Sequence, residues 1–569
     1  MFVYRNKLSG TKADCVQGEM KMKKRYQFLI LLILYSLALG VRIYWLSQKN
    51  GFHVDEGSSV TIACYNTHWW YGGSYELNKT YTGKEAKELG LCNNASLKSA
   101  FGDIFRLWKD SRDGAHTNLY YSFLRLSLAG LKTGDIKLII FRGGVLNLLF
   151  FTVSFIFFFL LTKLLFPDSK LLQFSVTICA FLSTATISNT LFLRPYQIQE
   201  TMFIIFCYYF VKTFDSEKYV THEDKLYINK KLMFFLSVIT AITLMSGYYA
   251  VFFIGLFGLY VLKTKNYAEK IFYIRVLCIG LVLVHIFYPK YLRALGNSRT
   301  TDTINILFGD ISANIKNSIT FSVTVLHEHF LTYPIIIVCA LLLLYLAYCK
   351  IRKQKLFIQI PALYVFLAAM LYFIIISIIS FKILRYVMSI FPFFIILPAV
   401  MIKAIEKRSI AITAMTLLCI CLLENATSRD KINYLYHDKP DYYSFSKDIA
   451  LPVFVLTEHP ITPRRFKYWE YADLVPYFND EQIYYFIEKY EDIDLAQYKK
   501  YNEFYIVIRS TLLEMHNTEL VQSIKHPGKI SITRFKIEQE FKIDPYIEGN
   551  NNGLRIDYFT CKKIRRLNK

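Results

Sequence analysis

Apolar runs of roughly 18 or more residues, enough for a helix to cross a bilayer, recur through the first three quarters of this chain. In lipid only helices and closed barrels satisfy every backbone polar group. The runs therefore predict a polytopic α-helical membrane protein. Composition agrees: the 569 residues are 54% hydrophobic and 17% aromatic, which excludes disorder and fits a soluble enzyme poorly. The net charge of +23 lies in short clusters between the runs. Such clusters orient a membrane protein, with Lys and Arg on the cytoplasmic side, so the charge is assigned to topology rather than to nucleic acid.

Residues 1–26 read as a cytoplasmic segment ending in Lys21, Lys23, Lys24 and Arg25. Gln27 to Leu46 is too apolar and too long for a cleaved leader and reads as a signal anchor with its N-terminus inside. Residues 47–137 form a large first extracytoplasmic loop. Its amphipathic stretches, Val54 to Trp70 and Leu97 to Trp108, are expected to lie at the membrane interface, which Trp45, Trp69, Trp70 and Trp108 also prefer. Asn118 to Leu131 is too short to span and reads as interfacial or re-entrant. Further spans are expected at 138–161, 171–190, 197–213, 231–246, 248–263, 271–289, 331–349, 357–379, 386–402 and 409–424, giving about eleven. With this register Lys163, Lys170, Lys263, Lys265, Lys350, Arg352 and Lys403 all fall inside. From residue 425 to 569 the chain turns polar. Pro452 to Leu456 and Asn502 to Ile508 read as strands and Glu481 to Lys489 as helix, together a small α/β extracytoplasmic domain. No CxxC pair occurs among the cysteines; Cys64 and Cys92 share the first loop, either as a disulfide or as two thiols.

The candidate chemistry collects at the outer mouths of the spans. Asp55 and Glu56 follow the first span, and on a helix or strand adjacent side chains diverge. One is expected to act as general acid or base, the other as orienter or metal ligand. Arg194-Pro195-Tyr196 opens the fourth span with Glu200 about one turn deeper. A carboxylate within a span either marks a site or pairs with Arg194. Lys382 and Arg385-Tyr386, ahead of Pro392, suit a lipid phosphate, with Arg able to hold two oxygens; for Lys382 simple snorkelling is the alternative. His327 and His329 suit a shared metal ion only if their segment is extended. No zinc-protease, nucleophile-elbow, Walker or dinucleotide pattern is present.

On these residues the chain resembles the GT-C superfamily of membrane glycosyltransferases, in the bacterial branch similar to protein O-mannosyltransferases and the lipid A aminoarabinose transferase. The resemblance covers residues 27–424. It rests on Asp55-Glu56, His116-Thr117-Asn118-Leu119-Tyr120-Tyr121, Arg194-Pro195-Tyr196, and Arg385-Tyr386 with Pro392; where the family has His-Pro-Pro-Leu-Tyr-Tyr, both prolines are missing here. It implies inverting transfer of a hexosyl or pentosyl group from a polyprenyl-phosphate donor to a glycan, lipid or protein acceptor, on the extracytoplasmic face of a bacterial inner membrane. Asp55 would then be the base, Arg385, Arg194, Tyr386 and Lys382 the phosphate site, and His116, Tyr120, Tyr196 and Glu200 would orient substrate. Glu56 and His116 are further candidates for a divalent ion, which some members use. The competing readings are a transporter or flippase for lipid-linked glycans, which would show broken helices in related halves, and a non-catalytic binding factor.

Overall fold

The computed structural model describes residues 7–65, 76–90, 96–114, 116–131, 135–215, 230–294, 303–304, 306, 308–352, 359–405, 408–436, 449–456, 474–487, 492–493, 497–509, 535–542 and 559–566. Trp69, Trp70, Cys92 and Trp469 lie outside them. The chain begins with helix α1 (Lys7–Gln48). In the first loop follow α2 (Val54–Ala63), strand β1 (Thr80–Thr82), α3 (Gly83–Gly90), α4 (Leu97–Lys109) and α5 (Leu119–Ser127). The bundle continues with α6 (Ile136–Leu165), α7 (Lys170–Ala180), α8 (Thr184–Leu191), α9 (Tyr196–Phe214), α10 (Lys230–Ser246), α11 (Ala250–Thr264) and α12 (Tyr267–Phe287).

Among the described residues six helices are long and apolar enough to cross a membrane: Arg25–Gln48, Ile136–Leu165, Tyr267–Phe287, Tyr333–Ile351, Ile360–Ile379 and Ser409–Thr427. The expected span 171–190 is not one helix but α7 and α8, bent by 54° at a break. Arg42 explains how the break is tolerated. It is fully buried in α1, packs 4.0 Å over the Phe151 ring, and donates to the Phe181 carbonyl freed by the break (2.9 Å). Its Nε reaches Thr190 on α8 (3.0 Å). The Ser183 hydroxyl then caps the restart by accepting from Thr186 N (3.4 Å). The expected span 386–402 also differs. It opens as tight 3-10 turns, Leu384–Tyr386 and Met388–Phe393, and becomes α-helical only at Ile396–Lys403. Pro392, inside the second turn, has no N–H for an α-helical bond. At 197–213, 231–246 and 248–263 stand α9, α10 and α11, of 19, 17 and 15 residues.

The first loop packs in two ways. In α4 the side chains of Leu97, Phe101, Phe105 and Trp108 form an exposed apolar stripe, while Asp103 turns in and accepts from Arg125 on α5 (2.8 Å). With nine residues, α5 is too short to cross. By contrast α2 does not lie flat on a surface: every residue from Glu56 to Ala63 is buried. Trp45 departs from expectation too, since it is buried and donates to the Ala426 carbonyl (2.8 Å) rather than sitting at an interface.

The C-terminal region contributes β2 (Val453–Leu456), β3 (Ile483–Ile487), β4 (Glu503–Arg509), β5 (Phe535–Lys542) and β6 (Phe559–Arg566) to a six-stranded sheet of order β1-β3-β2-β4-β6-β5. The segment read as helix around Glu481 is therefore strand β3. Its Ile-Tyr-Tyr-Phe-Ile run of β-branched and aromatic residues explains why. Strands β2, β3 and β4 are parallel, whereas β1, from the first loop, adds antiparallel to β3 with Tyr81 opposite Tyr484. Gly83 ends this contact where a Cβ would stand 1.8 Å from the Asn479 carbonyl oxygen. Gly83→Ala is expected to cost about 1–3 kcal/mol through overpacking, read as a lowered melting temperature of the detergent-solubilised protein.

Candidate active site

The site is assembled where α1 ends. His53 is the N-cap of α2: its Nδ1 accepts from the Asp55 N–H (2.9 Å), and Glu56 Oε2 accepts from the His53 N–H (2.7 Å). This reciprocal capping box fixes the first turn and holds both carboxylates at the positive end of the helix. Being adjacent, they point apart. Glu56 turns into the protein and Asp55 toward the open side, where 27% of its side chain stays exposed.

Glu56 has no capacity left for substrate. Its Oε1 accepts from Lys49 Nζ (2.9 Å) and Leu193 N (2.8 Å), and its Oε2 from Lys49 Nζ (3.0 Å) and His53 N (2.7 Å). Lys49 also donates to the Tyr434 carbonyl (2.6 Å). Burial pushes the Glu56 carboxyl up from its ordinary value, while Lys49 and the two N–H groups pull against it. The geometry makes Glu56 a structural node rather than an orienting or metal-binding group.

Asp55 Oδ2 meets Arg385 Nη1 at 2.8 Å. Burial alone would raise this carboxyl, but Arg385, Arg194, His53 and His116 outweigh it and hold it well below the usual carboxylate range. Arg194 stands on the α8–α9 connection, which Asn147 fixes by donating to the Phe192 carbonyl (2.9 Å). Arg194 Nη1 donates to Ser59 Oγ (3.2 Å) and Tyr121 Oη (3.0 Å), and Nη2 faces Asp113 at 3.6 Å; Tyr121 donates to the same Asp113 carboxylate. The aromatic wall runs from His116, edge-on to Tyr196 at 5.5 Å, to Tyr386, edge-on to Tyr196 at 6.1 Å.

The structure thus brings together Asp55, Arg385, Arg194, His116, Tyr196 and Tyr386. It places other candidates elsewhere. The Tyr120 hydroxyl is buried against Asn147 (3.3 Å) between α5 and α6; its neighbour Tyr121 faces the site instead. Glu200 does not pair with Arg194 but accepts from Asn189 (3.0 Å) and Gln197 (2.9 Å) inside the bundle. Lys382 donates to Asn314 (2.7 Å) and to the Ile378 and Ser380 carbonyls (both 3.2 Å), which ties two helices together. His327 and His329 end the helix Ile311–His329 and, two residues apart on it, diverge. His329 pairs with Thr184 (2.8 Å), while the His327 ring abuts Tyr333. Among the described residues no three His, Cys, Asp or Glu side chains gather as a metal-ligand set, and the Glu56 oxygens are taken up by Lys49 and two backbone N–H groups. Cys64 is disulfide-bonded. Sequence reasoning missed Asp113, and it included His53, Ser59 and Tyr121 in its motifs without giving them the contacts found here. The His-x-x-Glu spacing of a capping box was the one available signal for such a contact, and it marks His53 alone.

Glu56→Gln would leave Lys49 buried without its countercharge. A loss of about 3–5 kcal/mol is expected, read as a low folded yield on size exclusion, and Lys49→Met added to Glu56→Gln should recover part of it.

No family model matches the sequence, and no curated protein does. Among solved structures the chain is similar to ArnT from Cupriavidus metallidurans bound to undecaprenyl phosphate, with 10% identity, 93% of this chain and 97% of that chain covered, and a TM-score of 0.48. It is likewise similar to the apo state of the same protein, with 10% identity, coverages of 94% and 97%, and a TM-score of 0.45.

Proposed function

We propose that this protein transfers a sugar from a polyprenyl-phosphate donor to an acceptor hydroxyl, on the extracytoplasmic face of a bacterial inner membrane. The observation that carries the reading is the contact of a partly exposed carboxylate, Asp55, with Arg385 at 2.8 Å, beside Arg194 and an aromatic wall. Transfer needs a base for the acceptor proton and cations for the phosphate that leaves with the bonding electrons. These residues supply both. Eleven crossings with Lys and Arg inside would put this end of the bundle outside.

The charge state of Asp55 suggests how the two parts are coupled. While Arg385 holds it, the carboxylate is a weak base. A donor phosphate competing for the guanidinium loosens that pair and returns basicity to Asp55 once the donor is in place. The acceptor proton then passes to Asp55 as the hydroxyl oxygen attacks the sugar carbon and the phosphate departs on Arg385 and Arg194. Glu56 is committed to Lys49 and Asp113 to Arg194 and Tyr121, so among the described residues neither carboxylate beside Asp55 is ready to form a covalent glycosyl intermediate. That favours single-step displacement with inversion. His116, Tyr196 and Tyr386 offer ring edges to the sugar.

The bent pair α7 and α8 and the 3-10 opening of 386–402 are features a transporter of lipid-linked glycans would share. The polar groups at the α7–α8 break are bonded internally through Arg42 and Thr190, which favours the enzyme.

Purified protein in nanodiscs, assayed with a panel of polyprenyl-phosphate sugars, decides between these. Asp55→Asn is expected to keep donor affinity and lose about a hundred- to ten-thousandfold in turnover, and Arg385→Ala to lose donor affinity. Full turnover by Asp55→Asn, or movement of the lipid across the bilayer without its consumption, would defeat the proposal. Stability gives a second readout. The depressed Asp55 pKa means that its pairing energy is complete above about pH 4 and is lost only as pH falls further, through the lower folded value. Asp55→Asn should therefore melt lower than the wild type by the same margin at pH 7 and pH 5.

A further inference from the structure

Arg42 and Glu200 are fully buried charges that the proposed transfer leaves unused, and Glu200 lies within the expected span 197–213, where a carboxylate needs partners and marks a site by default. Side-chain chemistry fixes the direction of the links between them, since a guanidinium only donates and an ionised carboxylate only accepts. Arg42 Nε donates to Thr190 Oγ1 (3.0 Å), the Thr190 hydroxyl donates to Gln197 Oε1 (2.8 Å), and Gln197 Nε2 donates to Glu200 Oε1 (2.9 Å). Asn189 Nδ2 completes the set, with one hydrogen to Glu200 Oε2 (3.0 Å) and the other to the Tyr196 carbonyl (3.3 Å). Asn189 and Thr190 belong to the last turn of α8, and Tyr196, Gln197 and Glu200 to the start of α9; Arg194 stands in the connection between them. Asn147 and Glu56 hold the first half of that connection, at the Thr190 and Phe192 carbonyls (3.0 and 2.9 Å) and at Leu193 N (2.8 Å). Glu200 draws the second half back onto α8, because its two oxygens are bonded from Asn189 on one flank and Gln197 on the other.

We infer that Glu200 is a positioning residue for the phosphate site: it clamps the two flanks of the α8–α9 connection and so holds the Arg194 guanidinium where a donor phosphate meets it, with Arg42 as its countercharge through Thr190 and Gln197. This rests on the donor-phosphate reading above and adds to it a group that never touches substrate. A cation fixed in advance lowers the ordering cost of binding. A loosened connection restores that cost for a phosphate ligand and leaves the binding of an uncharged lipid alone. The buried carboxylate thereby acts on recognition of charge in particular, through the backbone that carries Arg194.

The test separates position from stability. Glu200→Gln retains the bonds: its Oε1 accepts from Asn189, and its Nε2 donates to Gln197 once that amide turns over and Thr190 donates instead to the Thr186 carbonyl, 3.2 Å away. It lacks the countercharge for Arg42. Glu200→Ala lacks both the bonds and the charge. Equilibrium binding of farnesyl phosphate and of farnesol is measured in detergent for the wild type, Glu200→Gln, Glu200→Ala, Gln197→Ala and Arg194→Ala, with melting temperatures alongside. Both Glu200 variants are expected to melt below the wild type, because Arg42 stays buried without its countercharge. Glu200→Ala is expected to bind farnesol unchanged and farnesyl phosphate about tenfold to a hundredfold more weakly, the effect of one hydrogen bond to a charged group, whereas Glu200→Gln keeps the wild-type preference. Gln197→Ala should shift the preference in the same direction as Glu200→Ala and stands in if that variant does not fold. A wild-type preference in Glu200→Ala or its stand-in, or an equal loss in Glu200→Gln, would overturn the inference; with Arg194→Ala impaired, the donor reading would still stand. If the wild type itself does not prefer farnesyl phosphate over farnesol, the donor reading falls and this inference with it.

Discussion

The ion pair of Lys49 with Glu56 holds the candidate-site end of this protein together. Both side chains are wholly shielded from solvent, and a pair so buried survives only if its remaining donors and acceptors are also satisfied. Here that requirement recruits four pieces of chain: the end of α1, the first turn of α2, the α8–α9 connection through Leu193 N, and the segment after the last helix through the Tyr434 carbonyl. Asp55, Arg194 and His53 each stand within three residues of an atom in this node. The node sets where each residue of the candidate site lies.

The same constraint explains how adjacent acids come to differ. Helical geometry sends Asp55 and Glu56 in different directions, and their surroundings do the rest. One carboxylate meets a lysine, two backbone N–H groups and no solvent; the other meets guanidinium groups at the edge of an opening. The sequence offers two like carboxyl groups, and packing buries one in an ion pair and leaves the other partly exposed beside Arg385.

Long-range patterns were legible in the sequence and short-range contacts were not. Hydropathy located helices because an apolar run of span length has few other solutions. The breaks in 171–190 and 386–402 were less visible, since one depends on a buried arginine supplied by α1 and the other on 3-10 geometry around Pro392. Four short motifs, centred on Asp55, His116, Arg194 and Arg385, meet in one place although they lie far apart in the chain. Which of two neighbouring tyrosines faces that place, Tyr121 rather than Tyr120, depends on helix phase in α5. Glu200 and Lys382 show the opposite limit: charge and position drew attention to them, while Asn189, Gln197 and Asn314, polar residues without a distinctive pattern, are what engage them.

Strand β1 ties residues 80–82 to residues 483–485, so the sheet closes only after some four hundred intervening residues have been made and inserted. Pairings so distant in sequence are slow to form. Until β3 emerges, the first loop has no partner for its β1 edge, and the C-terminal strands produced alone would display that edge of β3 bare. Biogenesis of this fold therefore runs as a circle, an early segment waiting to receive one made far later, and the polar C-terminal region cannot be cut away as an autonomous domain without leaving part of its sheet behind.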